Sequence, residues 1–287
     1  PYTRGRERSR DPKSIIKECE ELIKLGYKEV TLLGQNVDSY FWYGGGAKKN
    51  YKNKIVDESK VWDFAKLLDE VAKINPILRI RFSTSNPQDM TDQVIDVISK
   101  HKNVCNYIHL PVQSGSSKIL KLMNRGYSRK EYLNLIDKIK NKIPDCAISM
   151  DMISGFCNET EDDHLKTLSL MDIVKYDYGY MFKYSERPNT AAAKKFTDNI
   201  LEKTKQRRLT EIIAKQREHS LMHMKKRIGN SYEVLIEGKS KKSSQFYYGR
   251  TTHNATVVFK KQEKKIGDYV NIKIQDCTSA TLIGEII

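Results

Sequence analysis

Polar residues that suit chemistry collect where apolar segments of this chain end, most clearly at 146–160. There the pattern predicts a buried strand that runs into a polar turn and then into a helix capped by Thr160. Asp151 lies between two methionines of that strand. Because burying a carboxylate is costly, we expect Asp151 to bind a ligand rather than to cap a helix. Gly155 lets the backbone approach a neighbour closely. An α/β barrel builds its site from strand ends of this kind.

The histidines and one arginine offer weaker signals. His109 precedes a strand-end turn and is predicted to be a hydrogen-bonded core residue. His164 follows three acidic residues on a helix and is predicted to lie at the surface. Arg187 precedes a proline, and two roles stay open for it: a contact to a substrate phosphate, or a structural role in the last loop.

Composition narrows the class of protein. The five cysteines are scattered, and no two form a C-x-x-C pair, so we expect a reducing, cytoplasmic environment and no metal ligands among them. Cys19 and Cys105 are predicted to be buried apolar residues, and Cys157 to neighbour the site. No apolar run is long enough to span a membrane. The chain opens on Pro1 without a methionine, and we expect it to begin inside a longer or processed protein.

Basic residues give the chain a net charge of +15, and their placement suggests a polyanionic partner. Arg4, Arg6, Arg8 and Arg10 alternate, so an extended segment would project all four to one side. A solvated arm and a phosphate-binding arm both stay open as interpretations.

The periodicity predicts five βα units and therefore an α/β domain with a parallel sheet. Five or six strands suit an open or partial barrel better than a closed eight-stranded barrel. Residues 40–60, rich in Gly, Lys and Asn, are predicted to form an exposed loop. The predicted elements are helices at 11–26, 61–74, after Thr91, at 117–142 with a break, at 161–174 and at 201–227, and strands at 28–33, 78–82, 104–110, 146–153 and 178–184.

After Gly229 the pattern changes to five short alternating segments, which predict a small all-β barrel of the OB type. Such barrels bind RNA through aromatic residues and basic loops, and Lys241, Lys242 and Arg250 suit that use. A purely structural, SH3-like appendage is the alternative. We predict a larger domain at 1–228 and a smaller one at 229–287.

Five strand-end motifs occur in order along the chain. They are Pro-Tyr-Thr-Arg-Gly at 1–5, Leu-Leu-Gly-Gln-Asn-Val at 32–37, Arg-Phe-Ser-Thr-Ser at 81–85, His-Leu-Pro-Val-Gln-Ser-Gly-Ser at 109–116 and Ile-Ser-Gly-Phe at 153–156. Together they resemble the motifs of radical S-adenosylmethionine (SAM) methylthiotransferases. Within that family the pattern is most similar to the MiaB-type tRNA enzymes, which methylthiolate isopentenyladenosine beside the anticodon. The resemblance covers the whole chain, because Gly249-Arg250-Thr251 is similar to the family's C-terminal TRAM domain.

The resemblance implies a fold and a chemistry. It implies a partial (β/α) barrel of the radical-SAM type followed by an OB-like TRAM barrel. In that family a [4Fe–4S] cluster held by three cysteines and SAM generate a radical, and a second cluster delivers the methylthio group. It also implies a cytoplasmic, monomeric protein that binds the tRNA anticodon stem-loop and an electron-donor protein.

The family's SAM-binding residues carry over onto the strand ends of this chain. Gln35 and Asn36 would lie near the methionine amino group. Ser85, Gln113 and Asp151 would contact the ribose or the carboxylate. Ile153 and Gly155 would flank the adenine, and Glu159 would brace the turn. For each polar residue a helix cap or a turn hydrogen bond is the alternative role. The carried-over residues are Gln35, Asn36, Ser85, Gln113, Asp151, Ile153, Gly155 and Glu159, and the predicted RNA-binding residues are Arg4, Arg6, Arg8, Lys241, Lys242 and Arg250.

This sequence departs from the family pattern at the cluster. The family's C-x-x-x-C-x-x-C precedes the stretch that matches residues 1–5 and is not among these 287 residues. We therefore expect the full-length protein to hold two [4Fe–4S] clusters and this chain to ligate neither, and we expect the chain alone to be inactive. Smaller departures are Cys157, where the family commonly has proline, and Asn158 and Asn189, where it often has glycine.

Three hypotheses follow from these observations. The first is the catalytic and RNA-binding part of a tRNA methylthiotransferase. The second is a truncated module that binds tRNA without radical chemistry. The arginine-rich arm and the basic helix favour this module as much as they favour the first hypothesis. The third is an unrelated barrel enzyme acting on a phosphorylated small molecule, but the sequence contains no glycine-rich phosphate loop to support it. We adopt the first for the full-length protein, and no individual catalytic residue is assigned.

Overall fold

The computed structural model describes residues 5–53, 57–83 and 85–287. The chain divides into two compact units, Pro1–Asn106 and Tyr107–Ile287. Within the described residues no helix combines the length and the apolar character that a membrane span requires.

Among its described residues, the first unit contains a parallel strand pair, a short antiparallel strand pair and three α-helices. Strands β1 and β4 pair in parallel, with Val30 opposite Ile80, and Val104 adds a single parallel bridge beyond Ile80. The predicted strand at 104–110 is therefore interrupted, because its first residues form only this isolated bridge. The elements are α1 (Pro12–Lys24), β1 (Glu29–Leu32), β2 (Phe41–Trp42), β3 (Trp62–Asp63), α2 (Phe64–Ile74), β4 (Arg79–Phe82) and α3 (Asp92–Lys100).

Local capping decides where these helices begin. The Asp11 side chain accepts from the Lys13 amide, and Pro12 occupies the first helical position of α1, as the sequence predicts. Helix α2 begins three residues later than predicted, because Asp63 caps it by accepting from the Lys66 amide at 2.8 Å. Thr91 caps α3.

The segment at 40–60 differs from the predicted exposed loop. Phe41 and Trp42 form β2, which pairs with β3, and both Tyr43 and Ala47 are buried. The Tyr43 hydroxyl donates to the Ala47 carbonyl at 2.8 Å, and the ring of Phe41 meets that of Tyr51 edge-on at 4.8 Å. Packing of the aromatic side chains therefore folds this segment, although its glycines and lysines are typical of an exposed loop.

The second unit begins with a three-stranded parallel sheet in the order β5-β6-β7. Two capping boxes begin helices of this unit, Ser128 with Glu131 before α5 and Thr160 with Asp163 before α6, and the second confirms the predicted cap by Thr160. The break predicted within 117–142 is also present. The elements are β5 (Tyr107–His109), α4 (Ser117–Leu122), α5 (Arg129–Lys142), β6 (Ala147–Ser154), α6 (Glu161–Val174), β7 (Tyr178–Lys183), α7 (Ala191–Lys195) and α8 (Glu202–Lys226).

The register of this sheet separates two faces. Asp151 is opposite Tyr180, and Ser149 is opposite both His109 and Tyr178, so these side chains share one face. The other face carries buried residues such as Met150 and packs against helices; α8, for example, contacts β7.

The chain then closes a five-stranded barrel in the order β10-β12-β11-β8-β9, which confirms the predicted all-β region. Helix α8 contributes Met224 to the barrel core, where it joins Val257, Phe259 and Ile272. The strands are β8 (Ser231–Lys239), β9 (Phe246–Arg250), β10 (Thr256–Lys260), β11 (Tyr269–Cys277) and β12 (Thr281–Ile286).

Candidate functional site

The turn that follows β6 is held by a buried ion pair. Glu159 is 3% exposed and accepts from the Gly155 amide at 2.7 Å. Arg208 of α8 donates to the Glu159 carboxylate at 2.9 Å and to the Glu159 carbonyl at 3.0 Å. Burial raises the pKa of Glu159, and the Gly155 amide and the Arg208 guanidinium oppose that rise. The turn is therefore fixed by a residue 49 positions further along the chain.

Helix α8 also presses directly on this turn. Gly155 adopts φ +73°, and a Cβ at this position would lie 2.3 Å from Cγ of Lys205. Lys205 is itself 4% exposed, and its ammonium binds Asp198 at 2.5 Å. Only glycine fits here, because both the left-handed backbone and the close approach of Lys205 exclude a side chain.

Asp151 lies on the sheet face that the helices leave uncovered. Its Oδ1 is 3.5 Å from Nε2 of His109, whose Nδ1 lies 2.8 Å from Oγ of Ser149. The hydroxyl of Tyr107 is 2.7 Å from the same Ser149 oxygen. The His109 ring meets the Tyr180 ring edge-on at 5.9 Å. His109 is thus the hydrogen-bonded, largely buried histidine that the sequence predicts, and it connects Asp151 to a hydroxyl chain.

Gln113 extends the sheet beside Asp151. The backbone N–H of Gln113 donates to the backbone carbonyl of Asp151 at 2.9 Å. The backbone carbonyl of Gln113 accepts from the backbone N–H of Ile153 at 2.9 Å. Gln113 is 7% exposed and adopts φ +73°. The structure therefore brings the predicted residues Gln113, Asp151, Ile153, Gly155 and Glu159 together in the second unit.

The first unit gathers Asn36 and Ser85 around two acids that the sequence analysis did not single out. The amide of Asn36 donates to Asp89 at 2.6 Å, and the Ser85 hydroxyl donates to Asp38 at 3.0 Å. Burial raises the pKa of Asp38 to about 7. Oδ1 of Asn36 and Oδ2 of Asp38 are buried without a hydrogen-bond partner among the described residues. Gln35, by contrast, is exposed.

Sequence reasoning missed Arg208, Lys205 and Asp38, and it misplaced His164. The prediction that His164 lies at the surface is wrong, because its side chain is fully buried and Nε2 lies 2.7 Å from Glu211 on α8. Arg208, Lys205 and Glu211 all lie on α8, so only the packing of that helix against α6 and β6 identifies them. For Asp38, proximity to the Gln35-Asn36 motif was a usable signal.

The predicted RNA-binding residues differ in their surroundings. Arg4 lies outside the described residues. Arg6 and Arg8 are exposed, as are Lys241 and Lys242. Arg250 is half-buried and paired, because it donates to Glu237 at 2.6 Å and to Asn254 at 2.9 Å.

The cysteines do not form a cluster site in the described part of the chain. Cys19, Cys105, Cys146 and Cys157 are buried. The described residues contain no group of three or more His, Cys, Asp or Glu side chains that could hold a metal ion. Burial raises the pKa of the Cys19 and Cys277 thiols, which disfavours the thiolate that iron binding requires.

Comparison with known proteins gives concordant matches. A family model described as the Radical SAM superfamily matches residues 1–171, and one described as the TRAM domain matches residues 225–287. With the closed barrel, these matches confirm the predicted fold class, an α/β partial barrel followed by a small all-β barrel.

Among curated relatives, the tRNA-2-methylthio-N(6)-dimethylallyladenosine synthase of Christiangramia forsetii is 59% identical over 286 residues, covering 99% of this chain and 60% of that protein. The protein of the same name from Karelsulcia muelleri is 57% identical over 286 residues, covering 100% of this chain and 63% of its own length. The chain thus spans about 60% of the first relative's length.

A solved structure of coproporphyrinogen III oxidase (HemN) from Escherichia coli, a radical SAM enzyme, gives a TM-score of 0.49 at 14% identity. The match covers 84% of this chain and 60% of that one. The similarity is too weak to support a functional argument.

Proposed function

Since this chain belongs to the Radical SAM superfamily, we propose that it is part of a tRNA methylthiotransferase that modifies isopentenyladenosine beside the anticodon. The observation that carries the proposal is the identity of 57–59% with proteins named for this activity, over nearly the whole chain. The end of β6 and the fixed turn after it support the proposal, because they contain Ile153 and Gly155, the two residues predicted to flank the adenine of SAM.

SAM suits the second unit through its polar strand ends. The Asp151 carboxylate would accept hydrogen bonds from ribose hydroxyls, and Ile153 would present an apolar surface to the adenine. The Glu159–Arg208 pair would keep Gly155 in its left-handed turn while the ligand is held. Gln113 stays a predicted polar contact. When bound, SAM would supply the radical chemistry that activates an adenine C–H bond.

The first unit offers acceptor oxygens that suit an ammonium group such as that of SAM. Oδ1 of Asn36 and Oδ2 of Asp38 are buried and unpartnered among the described residues, and a buried acceptor without a donor is costly. A ligand ammonium would provide the missing donors and would favour the ionised form of Asp38. Ser85 would then act through Asp38, and Gln35, which is exposed, stays a predicted contact.

The thiols of the described residues do not suit an iron–sulfur cluster, so no step is assigned to a cluster here. We propose that both [4Fe–4S] clusters of the full-length enzyme are ligated outside these residues. The same proposal includes the partners and the state of the protein. Its substrate is a tRNA anticodon stem-loop, it receives electrons from a donor protein, and it is a cytoplasmic monomer.

The direct test uses the full-length protein with reconstituted clusters and tRNA that carries isopentenyladenosine. We expect mass spectrometry of the digested tRNA to detect the methylthio derivative. Asp151→Asn should also weaken binding of S-adenosylhomocysteine about ten-fold, because a charge-assisted hydrogen bond contributes about 1.5 kcal/mol or more. Asp137→Asn, which changes an exposed carboxylate on α5, is the matched control and should leave binding unchanged.

A non-catalytic tRNA-binding protein is the second candidate, and the exposed lysines of the C-terminal barrel favour it. Reconstituted protein that binds tRNA but yields no methylthio product would support this candidate. Product formation would exclude it.

A further inference from the structure

Polar side chains of β5 and β6 form a continuous series of contacts on the uncovered face of the sheet. Oγ of Ser149 lies 2.7 Å from the Tyr107 hydroxyl and 2.8 Å from Nδ1 of His109. Nε2 of His109 lies 3.5 Å from Oδ1 of Asp151. We call Tyr107, Ser149 and His109 the His109 chain. It ends at the carboxylate that is predicted to contact the ribose of SAM.

Strand register brings these side chains together. His109 is opposite Ser149 in the parallel pair of β5 and β6. Tyr107 precedes His109 by two residues, and Asp151 follows Ser149 by two residues. Because side chains two residues apart on a strand share a face, all four project to the same side of the sheet. The pairing of two strands, and not the conformation of a loop, therefore sets these contacts.

The His109 chain has a single hydrogen-bond direction when the imidazole is neutral. An ionised Asp151 only accepts hydrogen bonds, so the ring proton belongs on Nε2, which faces the carboxylate. Nδ1 must then accept, and the Ser149 hydroxyl is its donor. Since that hydroxyl has one proton, its oxygen accepts from the Tyr107 hydroxyl. The chain thus presents an N–H donor to Asp151.

The surroundings of His109 hold its ring in this orientation. Ser149 is fully buried, and the side chain of His109 is 13% exposed. The Tyr180 ring meets the His109 ring edge-on at 5.9 Å, and the Tyr107 ring meets that of Tyr178 edge-on at 6.3 Å. The donor is therefore in place before a ligand binds, and a preorganised group costs little to order on binding.

Asp151 has few other restraints. Its side chain is 29% exposed, and among the described residues no other side chain forms a hydrogen bond or an ion pair with it. A carboxylate offers about four acceptor positions, so one contact to His109 leaves the others for ligand hydroxyls. The histidine is thus the group that can set the direction in which this carboxylate points.

We infer that His109 is a positioning residue for SAM binding, because it orients the Asp151 carboxylate toward the ribose hydroxyls. Ser149 and Tyr107 keep the ring of His109 in its donating orientation. This inference rests on the proposed function, in which Asp151 accepts from those hydroxyls. The sequence analysis predicted only a hydrogen-bonded core histidine. In the positioning role His109 acts through Asp151 and needs no contact of its own with the ligand.

The test measures the affinity of S-adenosylhomocysteine for the full-length protein with reconstituted clusters, by isothermal titration calorimetry. His109→Phe keeps a ring against Tyr180 and removes both nitrogens. We expect it to weaken binding about five-fold, the usual effect of losing one neutral hydrogen bond. His101→Phe is the matched control, because Nε2 of His101 lies 2.7 Å from Asp69 in the first unit. It should leave the affinity unchanged.

Two further variants separate the roles of the two ring nitrogens. The amide nitrogen of glutamine can take the position of Nε2, so His109→Gln should keep the affinity within about two-fold. The shorter asparagine reaches only the position of Nδ1, so His109→Asn keeps the contact to Ser149 but should bind about five-fold more weakly. These two variants also provide the test if His109→Phe fails to fold.

Combination with Asp151→Asn shows whether His109 acts through Asp151. In that background we expect His109→Phe to weaken binding by less than about two-fold. The same five-fold loss in both backgrounds would overturn the inference alone, since the histidine would then have only a structural role. Full affinity in His109→Phe, or equal affinities of the Gln and Asn variants, would also overturn it. Unchanged binding in Asp151→Asn alone would overturn the proposed ribose contact together with this inference.

Discussion

At the scale of single residues, Asp38 is the group whose ionisation is most clearly tied to folding. Asp38 is 6% exposed, its carboxyl receives hydrogen bonds from the Ser85 hydroxyl and the Asn86 backbone, and it lies near a second acid, Asp89. Both the burial and the neighbouring acid disfavour the charged form. The protein therefore favours a protonated Asp38 in the absence of a cationic ligand.

This preference predicts how stability changes with pH. The folded pKa of about 7 lies above the unfolded value of roughly 3.9. The stability that Asp38 contributes is therefore present below about pH 4 and is lost as pH rises through 7. We expect Asp38→Asn to flatten that loss and to raise the unfolding free energy by about 2 to 4 kcal/mol at pH 8. Urea unfolding over a pH series measures it. An unchanged pH profile in the variant would contradict the assignment.

The Gly155 turn allows a test of steric fit against backbone strain. We expect Gly155→Ala to lower the unfolding free energy by about 2 to 4 kcal/mol, because the backbone is left-handed and the Cβ would overlap Lys205. Gly26→Ala is the control: φ there is +89°, but nothing lies within 4 Å of the added Cβ. It should cost only about 1 to 2 kcal/mol. Equal losses in urea unfolding would show that Lys205 does not restrict the turn.

Two asparagines and one histidine show which properties of single residues a sequence can predict and which it cannot. Asn158 and Asn189, which stand where the related family often has glycine, adopt φ +64° and +67°. Asparagine tolerates this region better than most residues, so the backbone requirement is kept after the substitution. The burial of His164 is less predictable, because its partner Glu211 lies 47 residues away. A local sequence pattern contains no information about that pairing.

At the scale of secondary-structure elements, α8 determines the shape of the β6 turn. Arg208 is 4% exposed and forms charged hydrogen bonds with Glu159 and Glu161. The neighbouring Arg207 binds Glu161 and Glu211 but is about half exposed. Adjacent arginines on one helix thus differ mainly in burial.

This difference predicts unequal effects of the same substitution. We expect Arg208→Leu to lower the unfolding free energy by about 3 to 5 kcal/mol, because it leaves the Glu159 carboxylate buried without its cation. Arg207→Leu, the control, should cost less than about 1 kcal/mol, since exposed ion pairs contribute little. The double variant with Glu159→Gln should recover part of the loss. A double-mutant cycle in urea measures the coupling, and additive losses would argue against a direct interaction.

Element boundaries were predictable where local chemistry sets them. The capping boxes before α5 and α6, and the proline at the start of α1, locate helix starts correctly from sequence alone. The segment at 40–60 was not predictable, because its glycines and lysines conceal a small aromatic cluster around Tyr43. The strand at 104–110 was predicted too long, because strand pairing depends on where the neighbouring strands end and the local sequence does not show this.

At the scale of the whole molecule, the C-terminal barrel is attached within the second unit partly through His253 and Asp145. Burial lowers the pKa of His253, and the hydrogen bond to Asp145 opposes this effect. The folded pKa thus lies below the unfolded value of about 6.5. The stability contributed by neutral His253 is present above about pH 6.5 and is lost as pH falls through the folded pKa.

We therefore expect cleavage by an added protease near residues 227–230 to accelerate below pH 6, since protonation of His253 weakens the attachment. His253→Gln should remove most of this pH dependence. His223→Gln, on the last turn of α8, serves as a control and should preserve it. Limited proteolysis followed by mass spectrometry locates the cleavage. A protease sensitivity that rises equally in both variants would rule out His253 as the cause.

The fold class was predictable at this scale because both parts leave strong periodic signals: βα alternation in one and five short strands in the other. The candidate site was predictable only in its strand-end residues. Its supporting residues, Arg208 and Lys205, come from a helix whose sequence indicates only a basic amphipathic surface. Long-range packing determines which of its charges become buried, and no local pattern encodes that choice.

The order of strands in the barrel has a consequence for synthesis on the ribosome. Strand β12 closes the barrel by pairing in parallel with β10 and antiparallel with β11, yet it is the last of the five strands to be translated. Until Thr281–Ile286 has emerged, the nascent barrel is an open sheet with two unpaired edges. Chaperone binding or aggregation during synthesis therefore competes with barrel closure in this interval.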